Sequence, residues 1–220
     1  MKHLLMLSLV VGLLSAPALA SNAHEHAMSS PTKASVKKQP TVKAYMSAME
    51  RMHHDMNIMY SGNADVDFAR GMVPHHQGAV DMANVLLAHS KDKTLRTLAQ
   101  RIVIWQEVEI GIMKRWLNAK DSYSKTSCDC DAETTKAYKE AMNTMHHDMN
   151  IAYTGNVDID FVNGMIPHHQ GAIDMAWVLI KAGVDPELRA IAHDIIRSQE
   201  QEIALMKEWL KTHQTSKGTK

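Results

Sequence analysis

One twelve-residue stretch occurs twice, 93 residues apart, and it limits what this chain can become. Gly71-Met72-Val73-Pro74-His75-His76-Gln77-Gly78-Ala79-Val80-Asp81-Met82 returns as Gly164-Met165-Ile166-Pro167-His168-His169-Gln170-Gly171-Ala172-Ile173-Asp174-Met175, with Val exchanged for Ile as the only change. The correspondence runs without insertion or deletion from Lys43–Leu117 to Lys136–Leu210. A period that long exceeds those of common solenoids and points to two duplicated helical units. On a helix, Phe68, Met72, His75, Ala79, Met82 and Leu86 advance by alternating fours and threes and share one stripe. Ala69, Val73, His76, Val80, Ala83 and Leu87 share the neighbouring one. The histidines therefore lie among apolar and thioether side chains, where a solvated polar face would not put them.

Each unit reads as three helices, giving an all-α fold of two tandem repeats. The first helix spans roughly 42–60 and stops at Ser61-Gly62-Asn63, with Gly as the stop signal. The second starts near Asp65, or Asp158 in the other copy, as N-cap and runs to about Ser90. The third starts at Asp92 or Asp185 and ends near Leu117 or Leu210. Pro74 and Pro167 fall inside the second helix, where a missing donor and a clash with the preceding turn predict a kink beside the histidines. The alternative is a helix that ends at Gly71 and restarts at the proline. Gly71 and Gly78, with Gly164 and Gly171, are seven apart and suggest a close helix crossing.

Around these units the expected boundaries are a signal peptide over 1–20 and a disordered His/Met-containing arm over 21–41. The first repeat is 42–117, the linker with Cys128 and Cys130 is 118–131, the second repeat is 132–211 and the tail is 212–220. Met1-Lys2-His3, the apolar run to Leu14 and Ala18-Leu19-Ala20 have the form of a cleaved secretory leader, which predicts a periplasmic protein. The run is too short to span a membrane, and no longer one follows, so no membrane insertion is expected. Lys+Arg equals Asp+Glu at 24 each, and no basic block occurs in the repeats, which argues against a nucleic-acid partner.

Composition sharpens the question at one point: 17 Met and 14 His stand against two Phe. Tyr45, Met49, Met52, His53, Met56 and Tyr60 share the inner face of the first helix, as do Tyr138, Met142, Met145, His146, Met149 and Tyr153. Methionine there can be plain adaptable packing. Yet each first-helix His has Met at −4, −1 and +3, and the second-helix histidines have Met72 and Met82, or Met165 and Met175, on their stripe. Buried imidazoles need partners, thioethers accept hydrogen bonds poorly, and a soft cation would satisfy both. Mixed imidazole and thioether ligation selects Cu(I), with Ag(I) as its mimic. The candidate ligands are Met49, Met52, His53, Met56, Met72, His75, His76 and Met82, with Met142, Met145, His146, Met149, Met165, His168, His169 and Met175.

His54 and His147 point about 100° away from the preceding His and suit solvent as well as metal. Asp81 and Asp174 share the polar stripe with Gln77 and Gln170. On the third helix, Gln106 and Glu109, with Gln199 and Glu202, interrupt an apolar stripe and call for buried partners. The second-helix imidazoles are the expected ones, oriented by the carboxylates behind the metal. His76 and His169 have a second option, donation to a carbonyl released by the proline. Met113 and Met206 read as packing. His24, His26 and Met28 form a candidate accessory copper-gathering arm, with a polar tail carrying chance histidines as the other reading. Cys128 and Cys130 are too few for a structural zinc site and leave open a local disulfide or a thiolate pair for Cu(I). No nucleophile motif, phosphate loop or dinucleotide fingerprint is present, which lowers the prior for an enzyme.

The repeated Gly-Met-(Val/Ile)-Pro-His-His-Gln-Gly-Ala-(Val/Ile)-Asp-Met, preceded by Asp-(Val/Ile)-Asp-Phe, resembles the hallmark of the domain of unknown function 305 family, in two tandem copies over about 43–117 and 136–210. The resemblance implies a ferritin-like helical bundle. Its characterised periplasmic members, of the CopM type, bind copper and support copper tolerance. Carried onto this chain, it implies Cu(I), and also Cu(II), held by Met72, His75, His76 and Met82, their partners Met165, His168, His169 and Met175, and the sets around His53 and His146. Copper efflux or sensor proteins would be the partners. Two other classes compete. A di-iron carboxylate enzyme needs two Glu-x-x-His motifs, and Glu50-Arg51-Met52-His53 supplies one while Asn143-Thr144-Met145-His146 breaks the other. A structural bundle with Met and His as filler would fold without metal and ignore copper.

Overall fold

A computed structural model describes residues 33–120 and 132–214, and among them all regular structure is helical. The signal peptide, His24, His26, Met28, Cys128, Cys130 and the tail beyond 214 lie outside the described residues. The order is α1 Lys33–Val36, α2 Pro40–Asp55, α3 Ala64–His89, α4 Lys93–Lys120, α5 Ala132–Asp148, α6 Val157–Ala182 and α7 Pro186–Gln214. The two triplets α2–α4 and α5–α7 match the three helices read in each unit, and α3 and α6 pack on each other at the middle of a ferritin-like bundle. One continuous apolar core draws residues from both repeats.

Three local expectations are corrected. The arm is shorter than read: Lys33–Val36 is already helical, Val36 is buried, and Pro40 occupies the first turn of α2, where its missing N–H has no helical role. The first helix ends at Asp55 (Asp148 in the second copy), short of the expected Tyr60. Its fours-and-threes spacing runs on through Met56 and Tyr60, but a buried carboxylate takes over the backbone. Asp67 accepts from Ser61 N at 2.6 Å, Ser61 Oγ at 2.7 Å and Gly62 N at 2.8 Å. Gly62 bends the chain there with φ 78, a region that favours glycine. Asp160 repeats this with Thr154 and Gly155. Met56 is thus the C-cap of α2, fully buried from outside the helix.

The third correction concerns the start of α3 and α6. Asn63 and Asn156 are the N-caps, each side chain accepting two backbone N–H groups. Asp65 and Asp158, read as caps, are freed to tie the repeats together. Asp65 accepts from Val184 N at 3.1 Å and Asp185 N at 3.2 Å, in the turn before α7. Asp158 accepts from Ser90 Oγ, in the turn before α4. The expected caps of the third helices are in place: Asp92 accepts from Leu95 N at 2.8 Å and Asp185 from Leu188 N at 3.2 Å.

Pro74 and Pro167 sit inside unbroken helices, so the reading in which the helix restarts at the proline is set aside. The glycines do permit close approach. A Cβ on Gly71 would stand 2.9 Å from Met175 Cε, and one on Gly164 would stand 2.9 Å from Met82 Cε. A Cβ on Gly78 would stand 2.6 Å from Met52 Sδ, and one on Gly171 2.8 Å from Met145 Sδ. Methionines of α2, α5 and the opposite central helix therefore fill the space that the glycines leave.

Candidate metal centre

The repeats face each other so that equivalent side chains meet. His75 and His168 have ring centroids 3.9 Å apart with planes tilted by 51°, and His53 and His146 have centroids 3.9 Å apart with planes tilted by 47°. His75, His76, His168 and His169 are all fully buried. His76 and His169 lie 6.0 and 6.1 Å from the inner rings beside them. His53 is close enough to His168 for its charge to act on that ring. Six imidazoles from four helices thus form a chain of neighbouring rings within the bundle.

The flanking groups fix which ring nitrogen carries hydrogen. His76 Nε2 lies 2.7 Å from Glu109 Oε2, and His169 Nε2 lies 2.8 Å from Glu202 Oε2. His168 Nε2 lies 3.1 Å from the His75 carbonyl oxygen. A carboxylate or a carbonyl can only accept, so each of these imidazoles donates through Nε2. Nδ1 is then left with its lone pair, buried and without a protein partner in His76, His168 and His169. Both ring nitrogens of His75 and Nε2 of His53 and His146 are likewise unpartnered. Native interiors leave few such groups, and neutral imidazole nitrogens without a protein partner are chemically able to donate to a cation.

Burial itself keeps the inner rings, His75 and His168, neutral. Desolvation, followed by the other histidines, holds His75 and His168 well below the ordinary value of 6.5. His146 is lowered to about 4, by burial first and then by His53. Neutral imidazole is the ligating form, so the core is ready for metal at neutral pH.

The thioethers stand around these rings. Met52, Met56, Met72, Met82, Met145, Met149, Met165 and Met175 are buried in the shared core. Met49 and Met142 are half-buried, and each sulfur accepts a hydroxyl from the opposite repeat at 2.9 Å, from Tyr153 and Tyr60 respectively. Met46, which the sequence reading did not single out, joins Met49, His53 and Met149 around one cavity of about 170 Å³. Its signal was the i, i+3, i+7 spacing of Met46, Met49 and His53 on one helix face.

Other expected residues fall elsewhere. The carbonyl of His75 meets His168, whereas His76 and His169 turn to glutamates, so the proline-released carbonyl is not their partner. Gln106 and Gln199 are buried with Oε1 unpartnered. His54 and His147 are exposed beside Asp55 and Asp148. Asp81 pairs with Arg51 at 2.8 Å and accepts from Gln77, and Asp174 accepts from Gln170, all away from the buried rings. Met113 and Met206 are fully buried in the core. Glu50, the acid of the lone Glu-x-x-His motif, is exposed. Among the described residues no group of three His, Cys, Asp or Glu is placed so as to hold a metal ion by itself. No helix among them is long and apolar enough to cross a membrane.

The model of a family described as "Domain of unknown function (DUF305)" matches residues 65–210, from the start of α3 into α7, in one match. CopM in a silver-bound form is 33% identical, with a TM-score of 0.50, covering 67% of this chain and 95% of that one. CopM in a Cu(I)-bound form is 32% identical, with a TM-score of 0.50, covering 67% and 96%. A DUF305 fragment from Deinococcus radiodurans is 26% identical, also with a TM-score of 0.50, covering 68% and 96%. An uncharacterised protein of Acanthamoeba polyphaga mimivirus shares 46% identity over 46 residues, 21% of this chain and 30% of that protein's length.

Proposed function

The chain belongs to the DUF305 family, and on that premise we propose that it is a periplasmic copper-binding protein that sequesters Cu(I) or hands it on, in support of copper tolerance. The observation that carries this reading is the set of buried Nδ1 lone pairs on His76, His168 and His169, with Nε2 of each ring already engaged. Burial disfavours a proton on His168, whereas a soft cation among thioethers suits neutral imidazole nitrogen. Likeness to CopM structures solved with Cu(I) and silver bound supports copper as the cargo. The leader-like segment at 1–20 supports export.

Binding, not turnover, is the proposed role. The ligand set is Met49, Met52, His53, Met56, Met72, His75, His76 and Met82, with Met142, Met145, His146, Met149, Met165, His168, His169 and Met175. Glu109 and Glu202 orient His76 and His169 from behind, and Gln106 and Gln199 lie in the same layer. His24, His26 and Met28 are proposed as an accessory copper-gathering set. Thioethers bring no charge and bind weakly one at a time, so a metal held by several can pass to an efflux or sensor partner.

Competition titration with a Cu(I) chelator tests this, run beside Zn(II) and Fe(II). The protein should take Cu(I) from the chelator and leave Zn(II) and Fe(II) behind. Replacing Met49, Met52 and Met56 by leucine conserves volume and should hold stability within about 1.5 kcal/mol. The Cu(I) equivalents bound should nevertheless fall. An unchanged count would remove the thioethers from the account.

A further inference from the structure

The repeats are near-copies, but their two thioether mouths are not. At the first mouth, α2 faces the loop after α5, and Met46, Met49, His53 and Met149 line the cavity of about 170 Å³, with Lys37 and Glu50 at its edge. The corresponding place on the second repeat, between α5 and the loop after α2, is an open groove of about 1050 Å³. Applying the 93-residue offset, Met49 becomes Met142 and Met149 becomes Met56, so two thioethers are kept. Met46 becomes Lys139 and Glu50 becomes Asn143. His146 does not line the groove. Met59 adds a sulfur there, but it is 88% exposed.

The exchange of Met46 for Lys139 changes both ligand supply and charge. Lys139 Nζ lies 5.4 Å from the centre of the Tyr60 ring, whose hydroxyl donates to Met142 Sδ. An ammonium therefore shares the groove with the sulfur a metal would use. Lys37 and Glu50 cancel at the first mouth, whereas Lys136 and Lys139 against Glu140 leave one positive charge at the second. Neutral thioethers cannot offset that charge, so it opposes an incoming cation directly.

We propose that a soft monovalent cation enters this protein at one mouth only, captured by Met46, Met49, Met149 and His53, and that Lys139 closes the second mouth to it. The inference rests on the copper-cargo reading above. Met46, Met49 and His53 come from consecutive turns of one face of α2, and Met149 comes from the opposite repeat, so three sulfurs and one imidazole surround a small space. The Tyr153 hydroxyl engages one lone pair of Met49 Sδ at 2.9 Å and leaves the other for metal. His53 links capture to the interior, because its ring centroid also lies 3.9 Å from that of His146.

Titration of the full-length protein with Ag(I), followed by NMR of methyl-labelled methionine, tests the assignment. In the first equivalent the Met46, Met49 and Met149 methyls should shift while Met56 and Met142 stay in place. Met46→Lys should abolish that first response with an unchanged far-UV circular dichroism spectrum. Lys139→Met should make the Met56 and Met142 methyls respond as well and add one bound equivalent. Equal response of both mouths in the unaltered protein, or no gain in Lys139→Met, overturns this inference alone. Silence of every methionine methyl overturns the copper-cargo reading together with it.

Discussion

Replacing His75 and His168 together by leucine should make the metal-free protein more stable while costing it at least one equivalent of Cu(I). Both rings are fully buried, and three of their four nitrogens have no protein partner. Each buried polar group left unpaired costs about 1–3 kcal/mol. Leucine is close to histidine in volume and carries no such group, so the pair should gain roughly 1–3 kcal/mol after losing the contact of His168 with the His75 carbonyl. Urea unfolding of metal-free protein reads the gain, and a chelator titration reads the loss. A variant that is less stable than the parent would mean that these imidazoles are structural. Functional sites are where a chain keeps locally unfavourable groups, and this experiment asks whether that is so here.

The same two side chains should set a steep acid limit for the metal-free fold. Burial first, and then the neighbouring histidines, keeps both folded-state pKa values well below 6.5, whereas in the unfolded chain they sit near the ordinary value. Above pH ~6.5 neither state holds the extra protons, and the stability is intact. As pH falls below that, the unfolded chain takes up two protons that the folded core refuses. Stability then drops by about 1.4 kcal/mol per pH unit for each ring, or about 2.7 for the pair. The loss runs from pH ~6.5 down to the lower pH at which the folded rings themselves take up protons, set against the ~5–15 kcal/mol that holds a typical domain. His53 and His146 are also lowered and add to the loss in the same direction, weakened by their partial exposure. A series of urea unfolding curves between pH 8 and 5 measures this. The leucine pair should flatten the profile, and a flat profile in the parent would contradict the burial of neutral rings.

Much of the architecture was legible because periodicity reports which face of a helix is apolar. The stripe through Phe68, Met72, His75, Ala79, Met82 and Leu86 is buried along its whole length. The misfit of Glu109 and Glu202 on apolar stripes correctly announced buried partners, and those partners are His76 and His169. Where a helix stops was less legible. Met52, Met56 and Tyr60 keep helical spacing, yet the chain leaves the helix at Asp55 because Asp67, distant by a full loop, gathers the donors of Ser61 and Gly62.

How the repeats dock was not legible at all. Spacing within one helix cannot say that His75 will face its own counterpart His168, or that the Tyr60 hydroxyl will cross to Met142. These contacts join residues 82 or more positions apart, and they depend on how α3 and α6 cross. The glycines give the reason for that closeness only once the opposing Met82 and Met175 methyls are seen against them. Met46 was missed for the same reason, since its importance comes from Met149 across the cavity.

X-ray absorption at the copper edge of the Cu(I)-loaded protein bears most directly on the claim that sulfur and imidazole meet around one soft ion. The account predicts a first shell of mixed thioether sulfur and histidine nitrogen, with the outer-shell scattering of an imidazole ring, and a smaller sulfur component when Met46, Met49 and Met149 are changed to leucine. A shell of oxygen and nitrogen without sulfur in the unaltered protein would contradict it.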